Sequence, residues 1–290
     1  MLAVDRRQDA AVLDDSATVV ETTGRRARRL DLSRRMWLAT WPKVAAIALA
    51  LLVWQVIVWS GWREEYILPS PPTVFQRLGD LIADGTVFEA VGITMGRALV
   101  GYALALVIGV AVGTIVVSSK VARSAVGSMI TGLQTMPSIA WFPLAIVLFQ
   151  LTEGAITFVV VLGAAPSIAN GLITGVDHVP PVLQRAGRAM GAGRWATFRH
   201  VVLPASMPSF VGGLKQGWSF AWRSLMAGEL LVSTLGFSVG FLLTQYRQVN
   251  DYPAMIAIMI VVLVVGIVID AVLFAAVDRW VRRLHGLSPD

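Results

Sequence analysis

A chain of 290 residues with 56% apolar and only 14% charged residues departs from soluble domains, in which about a quarter of residues carry charge. It contains no cysteine, which excludes a disulfide framework, a cysteine nucleophile and thiolate metal sites, and His178, His200 and His285 lack metal-ligand spacing to one another. The net charge of +6 sits beside apolar runs, so it reads as membrane orientation and not as nucleic-acid binding.

Residues 1–42 mix Asp, Arg, Ala and Thr without apolar periodicity and end in an arginine-dense stretch from Arg25 to Arg35. They are expected to form a disordered basic cytoplasmic tail, acting as a topology anchor or as a polybasic contact to anionic headgroups. The membrane-embedded body is expected over 43–285, with a short C-terminal tail at 286–290. Its apolar runs are near the ~20 residues a bilayer requires. They predict an all-α membrane protein of about six spanning helices, at about 44–60, 90–117, 126–148, 155–174, 210–232 and 254–276.

Trp41, Trp54, Trp59 and Trp62 mark the first span and its ends, as interfacial anchors do. Between spans one and two, YILPSPPTVFQRL joins prolines to an amphipathic stretch from Thr73 to Ile82, expected along the outer surface. The third span is interrupted by Pro137 and Pro143. Basic residues gather before span one, after spans two and four, and after span six, while the other loops hold only Arg63, Arg77 and Arg247. Both termini and the long loop after span four are therefore expected in the cytoplasm.

That loop, within 177–208, is the informative segment. Pro180 and Pro181 suit a helix start, Val182 to Met190 follow as a short helix, and Gly191 can end it in a left-handed conformation. A second short helix is expected from Arg194 to Val201, stopped by Pro204, with Pro208 opening span five.

An alanine-rich turn, then Gly191, Val201 and Leu203-Pro204 resembles the cytoplasmic loop signature of ABC importer permeases. That consensus runs Glu-Ala-Ala, three residues, Gly, nine residues, Ile, one residue, Leu-Pro. YILPSPPTVFQRL, TMGRALVGYALALVIGVAVG, LQTMPSIAWFPLAIVLF and VVLPASMPSFVGGLKQGWSFAWRSLMAGELL are similar to the nitrate, sulfonate and taurine branch of that family. The likeness covers roughly residues 45 to 285.

The resemblance implies a type I ABC importer permease fold in which Val182 to Met190 is a coupling helix seated on a separate ATPase. The residues it places at that contact are Arg185, Ala186, Gly187, Arg188, Ala189, Met190, Gly191, Ala192, Arg194, Val201, Leu203 and Pro204. Two positions depart from the pattern: Arg185 stands at the family's glutamate and Gly187 at its second alanine. The glutamate's contact is not carried over. The resemblance also implies two cytoplasmic ATPase subunits that use ATP and Mg, an extracytoplasmic substrate-binding protein and a second permease copy, as a homodimer, in a bacterial inner membrane among its lipids. No cofactor is expected in this chain, since it has no Gly-x-x-x-x-Gly-Lys-Ser/Thr loop and no reactive constellation.

Charges within spans are expensive and are functional candidates by default. Arg97 is the expected partner of Glu229, as an intramembrane ion pair, and Lys215 is expected to snorkel to the inner interface. Arg223 either lines an anion pathway, where its planar fork of donors suits a sulfonate, nitrate or carboxylate, or has a structural role. Gln134, Ser138, Trp141 and Ser219 are the other pathway candidates, each equally readable as helix packing. An aliphatic sulfonate or taurine is the first-choice substrate and nitrate the next, with bicarbonate, cyanate or a pyrimidine vitamin precursor as alternatives. A secondary transporter is the rival class, although inverted repeats are not evident.

Overall fold

A computed structural model describes Trp37, residues 40–232 and residues 236–284. The expected N-terminal tail lies almost wholly, and the tail at 286–290 entirely, outside these residues. All regular structure among the described residues is helical. By packing, the chain divides into Met1–Pro71 and Pro72–Asp290. The first unit contains α1, Thr40–Trp59, a 20-residue apolar helix.

The second unit is built from α2 (Pro71–Ala83), α3 (Thr86–Ser118), α4 (Lys120–Thr135), α5 (Phe142–Phe149) and α6 (Glu153–Asp177). It continues with α7 (Pro181–Ala189), α8 (Arg194–Thr197), α9 (Leu203–Leu231), α10 (Val239–Gln248), α11 (Tyr252–Ile269) and α12 (Ala275–Leu284). Among the described residues, four helical stretches are long and apolar enough to cross a membrane: Thr40–Trp59, Thr86–Ser118, Glu153–Asp177 and Tyr252–Val281. α9 has the length of a span at 29 residues, but Lys215, Arg223 and Glu229 make it less apolar than these four.

α6 is the middle of the fold, packed against α3 on one side and α9 on the other. Lipid tails are as apolar as Leu, so helices in a bilayer gain by close approach rather than by leaving water, and small residues permit that approach. α3 buries Ala98, Gly101, Ala105, Gly109 and Gly113 at spacings of three or four. A Cβ at Gly109 would stand 2.8 Å from the Ala165 carbonyl oxygen. On the other side of α6 the backbones themselves touch, and a Cβ at Gly171 would stand 2.6 Å from Gly213 Cα.

Three interruptions mark the helices, the first of them at Pro137. The third span is not one rod: Val121–Thr135 and Ser138–Phe149 meet at 104°. Pro137 lacks an amide hydrogen and Met136 is extended at φ −80°, ψ 128°, as a residue before proline prefers. In the loop after α6, Pro204 does not stop a helix. α8 runs through a π-turn at Phe198–Val202 directly into α9, where Pro204 occupies the first turn. The Leu203 amide reaches back five residues to Phe198 O. α9 thus begins at Leu203 and carries Pro208 in its interior, instead of starting near Phe210. A second π-turn, Asp270–Phe274, separates α11 from α12.

α2 is amphipathic, as expected, but it packs into the second unit. Val74 and Leu81, one heptad apart, are buried, and Arg77 Nη2 donates to Asp251 Oδ2 at 3.0 Å. Asp251 also caps α11 by accepting from the Ala254 amide at 3.1 Å.

Candidate functional site

α7 is bounded by residue types that define both its ends. Pro180 is extended at φ −55°, ψ 131°, and Pro181 takes the first helical position, where a missing amide hydrogen costs nothing. At the other end Gly191 has φ 85°, the left-handed region open to glycine. The Ala192 amide donates to Gly187 O at 3.1 Å and the Gly191 amide to Arg188 O at 3.0 Å, the paired bonds of a Schellman ending.

The helix sits on α8 and the following π-turn through its smallest residue. Gly187 is the buried residue of α7, and a Cβ there would lie 3.3 Å from Val201 Cγ2. The position at which the family's alanine is absent is therefore the seat of the helix. Away from this seat, Val182, Leu183 and Met190 are 58%, 42% and 81% exposed, and Arg185, Ala186, Arg188 and Ala189 are also exposed. Ala192 and Val201 are half-buried, while Arg194, Leu203 and Pro204 lie open. The face thus combines apolar side chains with guanidiniums, a composition that suits a protein partner.

At the other end of the bundle the structure brings Arg97 and Glu229 together, with Nη1 3.0 Å from Oε1 and the Glu229 side chain fully buried. Sequence reasoning missed the rest of this cluster. Thr94 Oγ1, one helical turn before Arg97, lies 3.1 and 3.0 Å from the two Glu229 oxygens and accepts from the Val239 amide. The Gly240 amide donates to Glu229 Oε2 at 3.0 Å. Arg97 is shared, since its Nη2 also donates to Glu153 Oε1 at 2.6 Å. Charge-assisted bonds of this kind satisfy a buried carboxylate and tie α3, α6, α9 and the start of α10 to one point. The Thr94-to-Arg97 spacing and the position of Glu153 at a helix start were the available signals.

The remaining pathway candidates fall into two groups. Gln134 Nε2 donates to Ser167 Oγ at 3.1 Å, and Ser224 Oγ donates to Ser138 Oγ at 2.8 Å, bonds between helices. Trp141 packs against the main apolar cluster. Ser219 and Arg223 instead share a cavity of about 510 Å³ between α9 and α11, with Trp218, Trp222 and Asp270 also in its wall. Arg223 Nε donates to Ser219 O at 3.0 Å and its guanidinium lies 5.0 Å from the Phe220 ring centre. It does not reach Glu229, whose partners are those above.

Lys215 forms an ion pair. Its Nζ lies 3.0 Å from Asp270 Oδ1, at the π-turn of the last span. No group of His, Asp and Glu among the described residues could hold a metal ion.

Residues 86–285 match the family described as binding-protein-dependent transport system inner membrane component. The chain is similar to the nitrate import permease protein NrtB of Synechocystis, with 30% identity over 79% of this chain and 86% of that protein. It is also similar to the putative aliphatic sulfonates transport permease protein SsuC of Bacillus subtilis, 28% identical over 82% of this chain and 83% of that one. Among solved structures, a chain of the MetNI methionine ABC transporter in an inward-facing conformation superposes with a TM-score of 0.54. It is 20% identical, over 67% of this chain and 95% of its own, and shows the type I importer permease fold.

Proposed function

Since the chain belongs to the binding-protein-dependent transport system inner membrane components, we propose that α7 is the element through which a separate ATPase drives it. The chain is a permease component of an ABC importer in the nitrate, sulfonate and taurine branch and is not itself an enzyme. One observation carries the coupling role. A nine-residue helix, held between Pro181 and a left-handed Gly191 and seated at Gly187, turns exposed apolar and basic side chains outward. A short helix fixed at both ends passes on a displacement that a flexible loop would absorb.

Two cytoplasmic ATPase subunits, using ATP and Mg, would engage α7 and its copy in a second permease chain. A substrate-binding protein would deliver cargo from the opposite side. ATP-driven closure then turns the pathway outward, and hydrolysis resets it. By the positive-inside rule, the basic residues of the loop support a cytoplasmic location for α7 and both termini in a bacterial cell.

The cargo is a small anion, with an aliphatic sulfonate such as taurine first and nitrate second. Arg223 supports an anion, since its exposed guanidinium lines a cavity between α9 and α11 in which the one carboxylate, Asp270, is met by Lys215. The family match leaves the rival reading, a secondary transporter, without support.

Replacing Gly191 with Val tests the coupling role, because a β-branched side chain is strained at φ 85°. The variant should reach the membrane and lose transport together with stimulation of the ATPase. Transport at the unmodified rate would overturn the assignment. For the cargo, uptake of labelled taurine and nitrate by cells carrying the complete transporter decides between them, and transport of neither removes both.

A further inference from the structure

The end of the bundle that carries the basic loop holds an apolar groove of about 690 Å³. Its walls include Val110, Val117, Leu172, Val176, Met207 and Phe210, from α3, α6 and α9. It continues into a second recess of about 440 Å³, where Gln184, Arg188, Arg194 and Thr197 take part in the wall. Val117, Val176, Arg194 and Phe198 belong to both.

The two parts differ in chemistry. In the larger groove, the Ser118 hydroxyl already donates to Ile115 O at 2.9 Å and that of Ser206 to Leu203 O at 2.9 Å. Little remains there to pair with the amides and carbonyls of an inserted peptide, whereas a hydrocarbon chain needs no such partner. In the smaller recess, neither Arg188 nor Arg194 forms an ion pair with a carboxylate among the described residues. Arg188 contributes Nε to Gln184 O at 3.3 Å, and its outer nitrogens have no partner among the described residues. Nearby Arg123 differs, being held by Asp177.

We propose that this groove binds one anionic phospholipid, with an acyl chain between α3, α6 and α9 and the headgroup phosphate at Arg188 and Arg194. Basic recesses between spanning helices are suited to anionic headgroups, and each Lys or Arg near such a surface attracts by an amount that two together turn into a tenfold to roughly thirtyfold preference. The site lies between the bundle and the root of α7, so the lipid would brace the loop on the side away from the exposed Val182, Leu183 and Met190. This inference needs only that the chain is membrane-embedded: it draws on Arg188 and Arg194 in the recess and leaves Arg185 as the guanidinium of the outward face.

The test is native mass spectrometry of the purified full-length chain after exchange into phosphatidylglycerol, phosphatidylcholine, or detergent with glycerol 3-phosphate. One phosphatidylglycerol should be retained per chain, at least tenfold in preference to phosphatidylcholine, with no retention of glycerol 3-phosphate. The preference should vanish in the double variant Arg188→Gln, Arg194→Gln. Thr114→Trp, which places an indole in the groove from an exposed wall position, should abolish retention with the arginines intact. Equal retention of the two lipids, or retention unchanged in both variants, would overturn the proposal. So would binding of glycerol 3-phosphate as strong as that of the lipid, which would mark a free-anion site. A Thr114→Trp variant that loses its paired state while lipid retention is unchanged would assign the groove to a second copy of the chain.

Discussion

Arg97 on α3 and Glu229 on α9 lie 3.0 Å apart across the fold, and the arginine simultaneously holds Glu153 at the head of α6. The pair is asymmetric, because the Glu229 side chain is fully buried while that of Glu153 is 56% exposed. Arg97→Met strands a buried carboxylate and should cost about 3–5 kcal/mol. Glu229→Gln keeps an acceptor for the Gly240 amide and should cost less, roughly 1–2 kcal/mol. Thermal unfolding in detergent ranks the two; equal losses would contradict the burial asymmetry.

Gly187 offers a graded test of how α7 is seated. Ala adds a Cβ 3.3 Å from Val201 Cγ2, and half-buried Val201 has room to yield, while helix propensity improves by up to about 1 kcal/mol. Gly187→Ala should therefore transport at close to the unmodified rate. Gly187→Leu should lift the helix off Thr197 and Val201 and abolish transport with the protein still in the membrane. Substrate-stimulated ATP hydrolysis in proteoliposomes measures both, and a fully active Leu variant would show that the seat is dispensable.

The glycine seam between α6 and α9 should be intolerant where a glycine with open space beside it is not. Gly171→Ala drives a methyl to 2.6 Å from Gly213 Cα, a backbone atom that cannot rotate away, and should destabilise by about 1–3 kcal/mol. Gly127→Ala on α4, where nothing lies within 4 Å of the new Cβ, should be neutral or stabilising by up to about 1 kcal/mol. Paired melting curves of the two variants give the comparison, and a Gly171→Ala variant as stable as Gly127→Ala would show that the helices can part freely.

Lys215 and Asp270 are 3.0 Å apart yet about half exposed, at 52% and 47%. Charges so placed in spanning helices require a watery cavity or a protein neighbour, not lipid. A double-mutant cycle with Lys215→Met and Asp270→Asn should give a coupling of at most about 1 kcal/mol if water reaches the pair. The exchanged variant Lys215→Asp, Asp270→Lys should recover transport that either single exchange loses. Failure of the exchange would assign each charge a separate role.

What the sequence disclosed was punctuation and charge. Pro181 and Gly191 delimit α7 because their backbone preferences are local, and a glutamate in an apolar span must find a cation, for which Arg97 was near at hand. Hydrogen-bond register is not local in this sense. Phe198 to Val202 form a π-turn that carries the chain past Pro204, and residue types there read equally well as a stopped helix. Likewise Asp270 meets Lys215 only because α11 and α9 cross where they do. Gly187 read as a departure from a pattern, and its burial against Val201 depends on a neighbour fourteen positions away.

Between Gly171 and Gly213 no side chain stands in the gap, so the two helices have no rotamers with which to cushion relative motion. The polypeptide leaves this locked pair at Asp177, passes through α7, and re-enters it at Leu203. α6 and α9 are in effect the two tines of one fork, with α7 across the handle. If α7 is the element an ATPase pushes, as proposed, that push would tilt the two tines together and not spread them.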